Sequence, residues 1–176
     1  MLNLILPGHS TRNREELKSI SSFLSEKDLE VTAHEWLHWQ DETLKFDMDS
    51  EIELVLSEIK GRDKVGIIAK SIGTRVAVNL LDVMQFEPVY LLLMGLPIKR
   101  ATEKTRNLYL PRLKNYSGKI FVVQNEKDPL GSIQDVQNFL QGIDYTEFVV
   151  ENSTHRYNYP ELVFNIVSDV LNKEND

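Results

Sequence analysis

Three features of this chain hold residue types that can do chemistry. The first, His34-Glu35-Trp36-Leu37-His38, matches H-E-x-x-H. On a helix that spacing puts two imidazoles on one face, where they can hold zinc with the glutamate as general base. The second, Ala69-Lys70-Ser71-Ile72-Gly73, is a serine flanked at two residues' distance by small side chains. A sharp strand-to-helix turn that presents a nucleophilic hydroxyl needs this composition, because bulky flanks would collide with the neighbouring strand and helix. The third is a pair distant in sequence, Asp128 in Asn125-Glu126-Lys127-Asp128-Pro129 and His155 in Ser153-Thr154-His155. Each residue also has a plainer role. Ser71 can cap the helix after it, Asp128 before Pro129 can make a turn, and His155 can be an ordinary surface histidine.

Whether any of this is chemistry depends on the elements that position it. Leu2–Leu6 is an apolar run closed by Pro7-Gly8, which predicts a buried strand and a turn. Further strands are expected at residues 29–33, 65–69, 89–94, 120–123 and 146–150. Helical spacing of apolar residues predicts helices over 14–28, from Ser50 to Gly61, 72–84, 132–141 and 160–171. Ser50 with Glu53, and Ser132 with Asp135, have the spacing of cap pairs. Strands apolar on both faces, alternating with helices, imply a doubly wound, mostly parallel six-stranded α/β sheet with helices on both faces. No linker, repeat or low-complexity segment interrupts residues 1–176, so a single domain is expected.

In such sheets ligands bind beyond the carboxyl ends of the strands. Pro7-Gly8-His9-Ser10 follows the first strand, Lys70-Ser71 the third, the Asp128 turn the fifth and the His155 segment the sixth. A serine, an aspartate and a histidine therefore converge on one edge. The H-E-x-x-H stretch directly follows Val31-Thr32, and Trp36 and Trp39 favour extended structure. On a strand, residues four apart lie about 13 Å from one another, too far to share an ion. Zinc hydrolysis through His34 and His38 is thus the weaker reading. Trp36, His38 and Trp39 are expected near the same edge, as a substrate wall, a support for the Pro7–Ser10 loop, or a hydrophobic plug.

At this point the chain resembles the α/β-hydrolase family, in which nucleophile, acid and histidine follow in the order Ser71, Asp128, His155. The resemblance runs from Leu2 to about Leu171 and implies a minimal member without a large cap domain. It implies that Ser71 attacks an acyl carbonyl, His155 relays the proton and Asp128 orients the imidazole. The backbone N–H groups of His9 and Ile72 would form the oxyanion hole. The sequence departs from the family where Ala69 replaces a glycine, where Pro7 replaces a histidine, and where Asn125 opens the acid turn.

Bulk properties narrow the functions further. A net charge of −7 argues against general nucleic-acid binding. Cysteine is absent, which excludes disulfides, thiolate zinc sites and Cys nucleophiles. The N-terminal apolar run is too short for a signal core or a membrane span, so a cytoplasmic location is expected. Basic residues gather between Lys99 and Lys119, opposed only by Glu103. This segment is either a solvated face or a basic rim for an anionic substrate or acidic partner.

The expectation is a serine hydrolase acting on a small carboxylic ester or thioester, with no metal or organic cofactor. The substrate is expected to be a small acyl compound that can carry negative charge, with Lys70, Trp36, His38 and Arg100 beside it. Residues 96–118 are the segment that could form a short lid. The rival reading is a non-catalytic scaffold of the same fold that uses residues 99–119 to bind a partner. Oligomeric state is not set by the sequence.

Overall fold

The computed structural model describes residues 1–41 and 43–174. Its centre is a six-stranded sheet formed by β1 (Leu2–Leu6), β2 (Glu30–Ala33), β3 (Val65–Lys70), β4 (Tyr90–Met94), β5 (Lys119–Asn125) and β6 (Thr146–Val150). The strand order is β2-β1-β3-β4-β5-β6, and every pairing is parallel. The residues of β1, β3 and β4 are buried throughout, which explains their unbroken apolar runs.

Helices α1 (Asn13–Glu26) and α7 (Pro160–Glu174) pack together in one layer. In another layer α4 (Ile72–Leu80) packs against both α3 (Met48–Glu58) and α5 (Glu103–Asn115). After β1 the chain winds outward to β2, then returns and winds the other way through β3 to β6. Ligand crevices form where that direction reverses, at the carboxyl ends of β1 and β3. No helix among the described residues is long and apolar enough to cross a membrane.

Several expectations need correction. Residues 34–38 do not continue β2; after Ala33 the chain leaves the sheet and makes a one-turn helix, α2 (Leu37–Gln40). The cap of α3 is Asp47, whose carboxylate accepts from the Ser50 N–H, rather than Ser50 itself. Helix α4 ends at Leu80, short of Met84. The Ser132–Asp135 capping box is present at α6 (Ile133–Phe139).

The connection over 96–118 is no open strap. It forms a 3₁₀ turn at Ile98–Arg100 and then α5, capped by Thr102 and anchored by buried Tyr109 and Leu113. Its polar, basic composition hides the helix, and so does Pro111, which cannot donate the usual backbone bond.

Candidate active site

Ser71 occupies the single residue between β3 and α4, with φ 55° and ψ −115°. A non-glycine residue rarely adopts this conformation, and holding it costs about 1–3 kcal/mol that the surroundings must supply. They do so by close packing. A Cβ on Gly73 would lie 2.3 Å from the Leu6 carbonyl oxygen, so only glycine lets α4 approach β1 this closely. The Ser71 N–H is tied to the Met94 carbonyl at 3.0 Å. Its hydroxyl makes no cap bond to α4, so the plain capping role does not apply.

The Ser71 hydroxyl instead meets His155, with Oγ 2.9 Å from Nε2. His155 Nδ1 lies 2.7 Å from Asp128 Oδ2. A carboxylate only accepts, so Nδ1 carries the proton there and leaves Nε2 free to accept from Ser71. The structure therefore brings Ser71, Asp128 and His155 into one hydrogen-bonded chain. A hydroxyl in this setting can lose its proton to the imidazole as it attacks.

Asp128 is buried and held from three sides. Its Oδ1 accepts from the Leu130 N–H at 2.8 Å, and Oδ2 accepts from the Tyr157 hydroxyl at 2.6 Å as well as from His155. Burial pushes the Tyr157 phenol far above its ordinary pKa, and the hydrogen bond to Asp128 adds to that. Tyr157 therefore remains a donor. Its oxygen in turn accepts from the Asn125 N–H at 3.0 Å.

Asn125 fixes the histidine loop directly. Its buried side-chain amide donates to the carbonyls of Thr154 and Arg156, at 2.8 and 2.9 Å, which flank His155. Its Oδ1 accepts from the Tyr159 hydroxyl at 2.8 Å. Sequence reasoning missed Asn125 and Tyr157. The available signal was an amide side chain at the end of a buried strand, where a polar group must find partners.

The loop after β1 is held by the stretch that looked like a zinc motif. Trp36 is fully buried, and its Nε1–H donates to the Gly8 carbonyl at 3.0 Å. The His9 carbonyl accepts from His38 Nε2 at 2.8 Å and from Trp39 Nε1 at 2.7 Å. The Gly8–His9 peptide is trans, so its C=O and N–H point in opposite directions. Anchoring the Gly8 oxygen on the indole thus aims the His9 N–H the other way. Among the described residues, neither the His9 nor the Ile72 N–H has an acceptor.

His34 and His38 do not face a common point. His34 is buried between α3 carboxylates, with Nδ1 3.0 Å from Glu58 and Nε2 3.1 Å from Glu51. Burial works to lower its pKa, but the hydrogen bonds and charges of Glu58 and Glu51 outweigh this and hold it above the ordinary value. Both ring nitrogens of His34 are occupied, so the zinc reading fails on these contacts. His38 stacks on His9, with ring centroids 4.5 Å apart.

A pocket of ≈ 240 Å³ opens beside Ser71, lined by His9, Ile72, Arg75, Arg100, Tyr109 and Phe139 among others. Arg100 thus shares this pocket with Ser71. Lys70 does not. Its ammonium contacts Asn13 and Glu16 of α1 and lines a separate groove with His155. Burial lowers its pKa, against the raising effect of Glu16. Trp36 is a support with no exposed surface, not a substrate wall. In the basic segment, Lys99 pairs with Asp135, Arg112 pairs with Asp82, and Arg106 lies over the Phe139 ring. Part of the charge offered to a scaffold partner is thus spent inside the chain.

An esterase from Pyrococcus furiosus superposes with a TM-score of 0.74 at 18% identity, covering 98% of this chain and 82% of that one. A serine hydrolase homologue from Coxiella burnetii gives 0.74 at 15% identity, over 95% and 85% of the two chains. A serine hydrolase without a lid from Xanthomonas campestris gives 0.72 at 14% identity, over 98% and 81%. At these identities the likeness concerns the fold. No curated protein matches the sequence. The model of an alpha/beta hydrolase domain matches residues 11–163, most of the chain, and the protein belongs to the α/β-hydrolase family.

Proposed function

We propose that the protein is a serine hydrolase that cleaves a small carboxylic ester or thioester through an acyl-enzyme. The observation that carries this reading is the continuous chain from Ser71 Oγ to His155 to buried Asp128, at 2.9 and 2.7 Å. Ser71 attacks the acyl carbonyl while its proton moves to His155 Nε2, and Asp128 stabilises the resulting imidazolium. The proton then passes to the departing alcohol or thiol. Water attacks the acyl-serine by the same route in reverse, and the free acid leaves.

Negative charge develops on the carbonyl oxygen in both steps. His9 and Ile72 line the pocket with Ser71, and on this reading their N–H groups, which have no acceptor among the described residues, supply the donors. Each such donor contributes about 3–4 kcal/mol to the transition state. No metal or organic cofactor is needed for this chemistry.

Turnover of a panel of short-chain esters, thioesters and lactones tests the reading. The expected result is hydrolysis that survives a chelator and falls by about 10⁴-fold or more in Ser71→Ala. Activity that persists in Ser71→Ala would assign the chemistry elsewhere.

A further inference from the structure

This inference rests on the reading of Ser71 as the acyl-accepting nucleophile, and it concerns which acyl group is taken. Two depressions flank the reacting residues. One is a groove lined by His155, Lys70, Arg12, Arg14 and Arg156 together with Glu15 and Glu16. The other is the ≈ 240 Å³ pocket on the Ser71 side, which His155 does not line. His155 delivers its proton to the departing group, so the leaving group lies on the His155 side. The acyl portion then occupies the Ser71 pocket.

The two sides differ in charge. Cations and carboxylates are mixed in the leaving-group groove. The acyl pocket holds two arginines, Arg75 from α4 and Arg100 from the 3₁₀ turn, and no aspartate or glutamate. Of the other arginines, Arg14 pairs with Glu35, Arg62 with Glu30 and Arg112 with Asp82, Arg106 lies over the Phe139 ring, and Arg12 and Arg156 line the leaving-group groove together with Glu15 and Glu16. Among the described residues, neither the Arg75 nor the Arg100 guanidinium has an ion pair or a hydrogen bond. Both residues are exposed, so in the free protein water solvates their guanidiniums, and an anionic group in the pocket meets no competing carboxylate there.

The remainder of the pocket is mostly apolar, with Ile72, Ile98, Leu130 and Phe139 in its lining, and the Tyr109 hydroxyl already engaged with Thr74 at 2.9 Å. Its volume falls below the roughly 300–1,000 Å³ of sites that take drug-sized ligands. A short apolar chain ending in an anion satisfies both parts of the lining. Guanidinium groups match a carboxylate through parallel N–H donors.

We propose that the substrate is a half-ester or thioester of a short dicarboxylic acid, whose distal carboxylate is held by Arg75 and Arg100. Ser71 Oγ bonds to the near carbonyl carbon, and the C–O or C–S bond to the leaving group breaks. The serine proton goes by way of His155 to the departing oxygen or sulfur. Water then splits the acyl-serine, so the products are the free dicarboxylic acid and an alcohol or thiol, with no redox change.

The test compares kcat/KM for monoethyl succinate, glutarate and adipate with ethyl butanoate, pentanoate and hexanoate. It is run at low and high salt on the wild type and on Arg75→Ala, Arg100→Ala, the double variant and Arg100→Glu. The wild type should favour the carboxylated member of a pair by about tenfold, mainly through KM, as expected for two partly solvated charge-assisted contacts. That ratio should shrink with salt, approach one in the double variant and fall below one in Arg100→Glu. A wild type that hydrolyses the neutral esters but shows no preference for the carboxylated ones overturns the inference and leaves the serine-hydrolase reading standing. If neither series is turned over and Ser71 is unreactive, both fall together. The wild-type ratio and its salt dependence decide the question even if a variant fails to fold.

Discussion

The loop after β1 and the loop after β6 both meet Ser71 at the carboxyl edge of the sheet, yet they are held by different means. The first is gripped from outside, where ring N–H groups of Trp36, His38 and Trp39 donate to the carbonyls of Gly8 and His9. The second is gripped from within, where the buried amide of Asn125 donates to the carbonyls on either side of His155. The difference follows what each loop delivers. A main-chain N–H is aimed by fixing the plane of its peptide, so one anchored carbonyl is enough. A side chain is aimed only if the backbone on both sides of it is fixed.

Asn125→Ala is the sharpest way to break this contrast. It removes both donors to the His155 loop and the acceptor of the Tyr159 hydroxyl. Three partly buried hydrogen bonds are lost, each with a net contribution of about 0.5–1.5 kcal/mol, so chemical denaturation should report a loss of roughly 2–4 kcal/mol. On the proposed mechanism kcat should fall by at least about tenfold, with KM little changed. Asn125→Asp places a carboxylate against two carbonyls and should be worse than alanine on both measures.

Trp36→Phe is the matching change in the other loop. It keeps a buried ring and deletes the one bond to the Gly8 carbonyl. A cost of about 1–2 kcal/mol in stability is expected. Because the His9 peptide then loses its anchor, kcat should drop by up to roughly tenfold while the reactivity of His155 toward alkylation is unchanged. If Trp36→Phe and Asn125→Ala shift kcat and stability alike, the distinction between the two loops has no functional content.

The smallest effect is on the pH dependence of stability, and it concerns the base of the aromatic anchor. Glu58 and Glu51 raise the His34 pKa above 6.5 in the folded protein despite its burial. The imidazolium therefore contributes stability that is complete below the unfolded pKa and is lost as pH rises through the folded pKa. Thermal unfolding of the wild type should show this decline on the alkaline side of 6.5, and His34→Gln should remove it.

The sheet, the edge and the three residues Ser71, Asp128 and His155 could be read from the sequence because each leaves a local mark. Fully buried strands such as Ile67-Ile68 and Leu91-Leu92-Leu93 need unbroken apolar runs, and a tight elbow needs the small residues Ala69 and Gly73. The anchors leave no such mark. Trp36 and Asn125 matter through hydrogen bonds to residues 28 and about 30 positions away, and no periodicity encodes a partner at that distance. Helix α5 was hidden for another reason. Only Tyr109 and Leu113 bury fully, so its apolar stripe is too thin to stand out from a basic, proline-containing segment.

Reaction with a fluorophosphonate, followed by peptide mapping of the adduct, tests most directly whether Ser71 is an activated nucleophile. Stoichiometric phosphonylation of Ser71 in the wild type, slowed by orders of magnitude in His155→Ala and absent in Ser71→Ala, is the predicted result. A folded wild-type protein that takes no label at Ser71, or one labelled equally fast without His155, would contradict it.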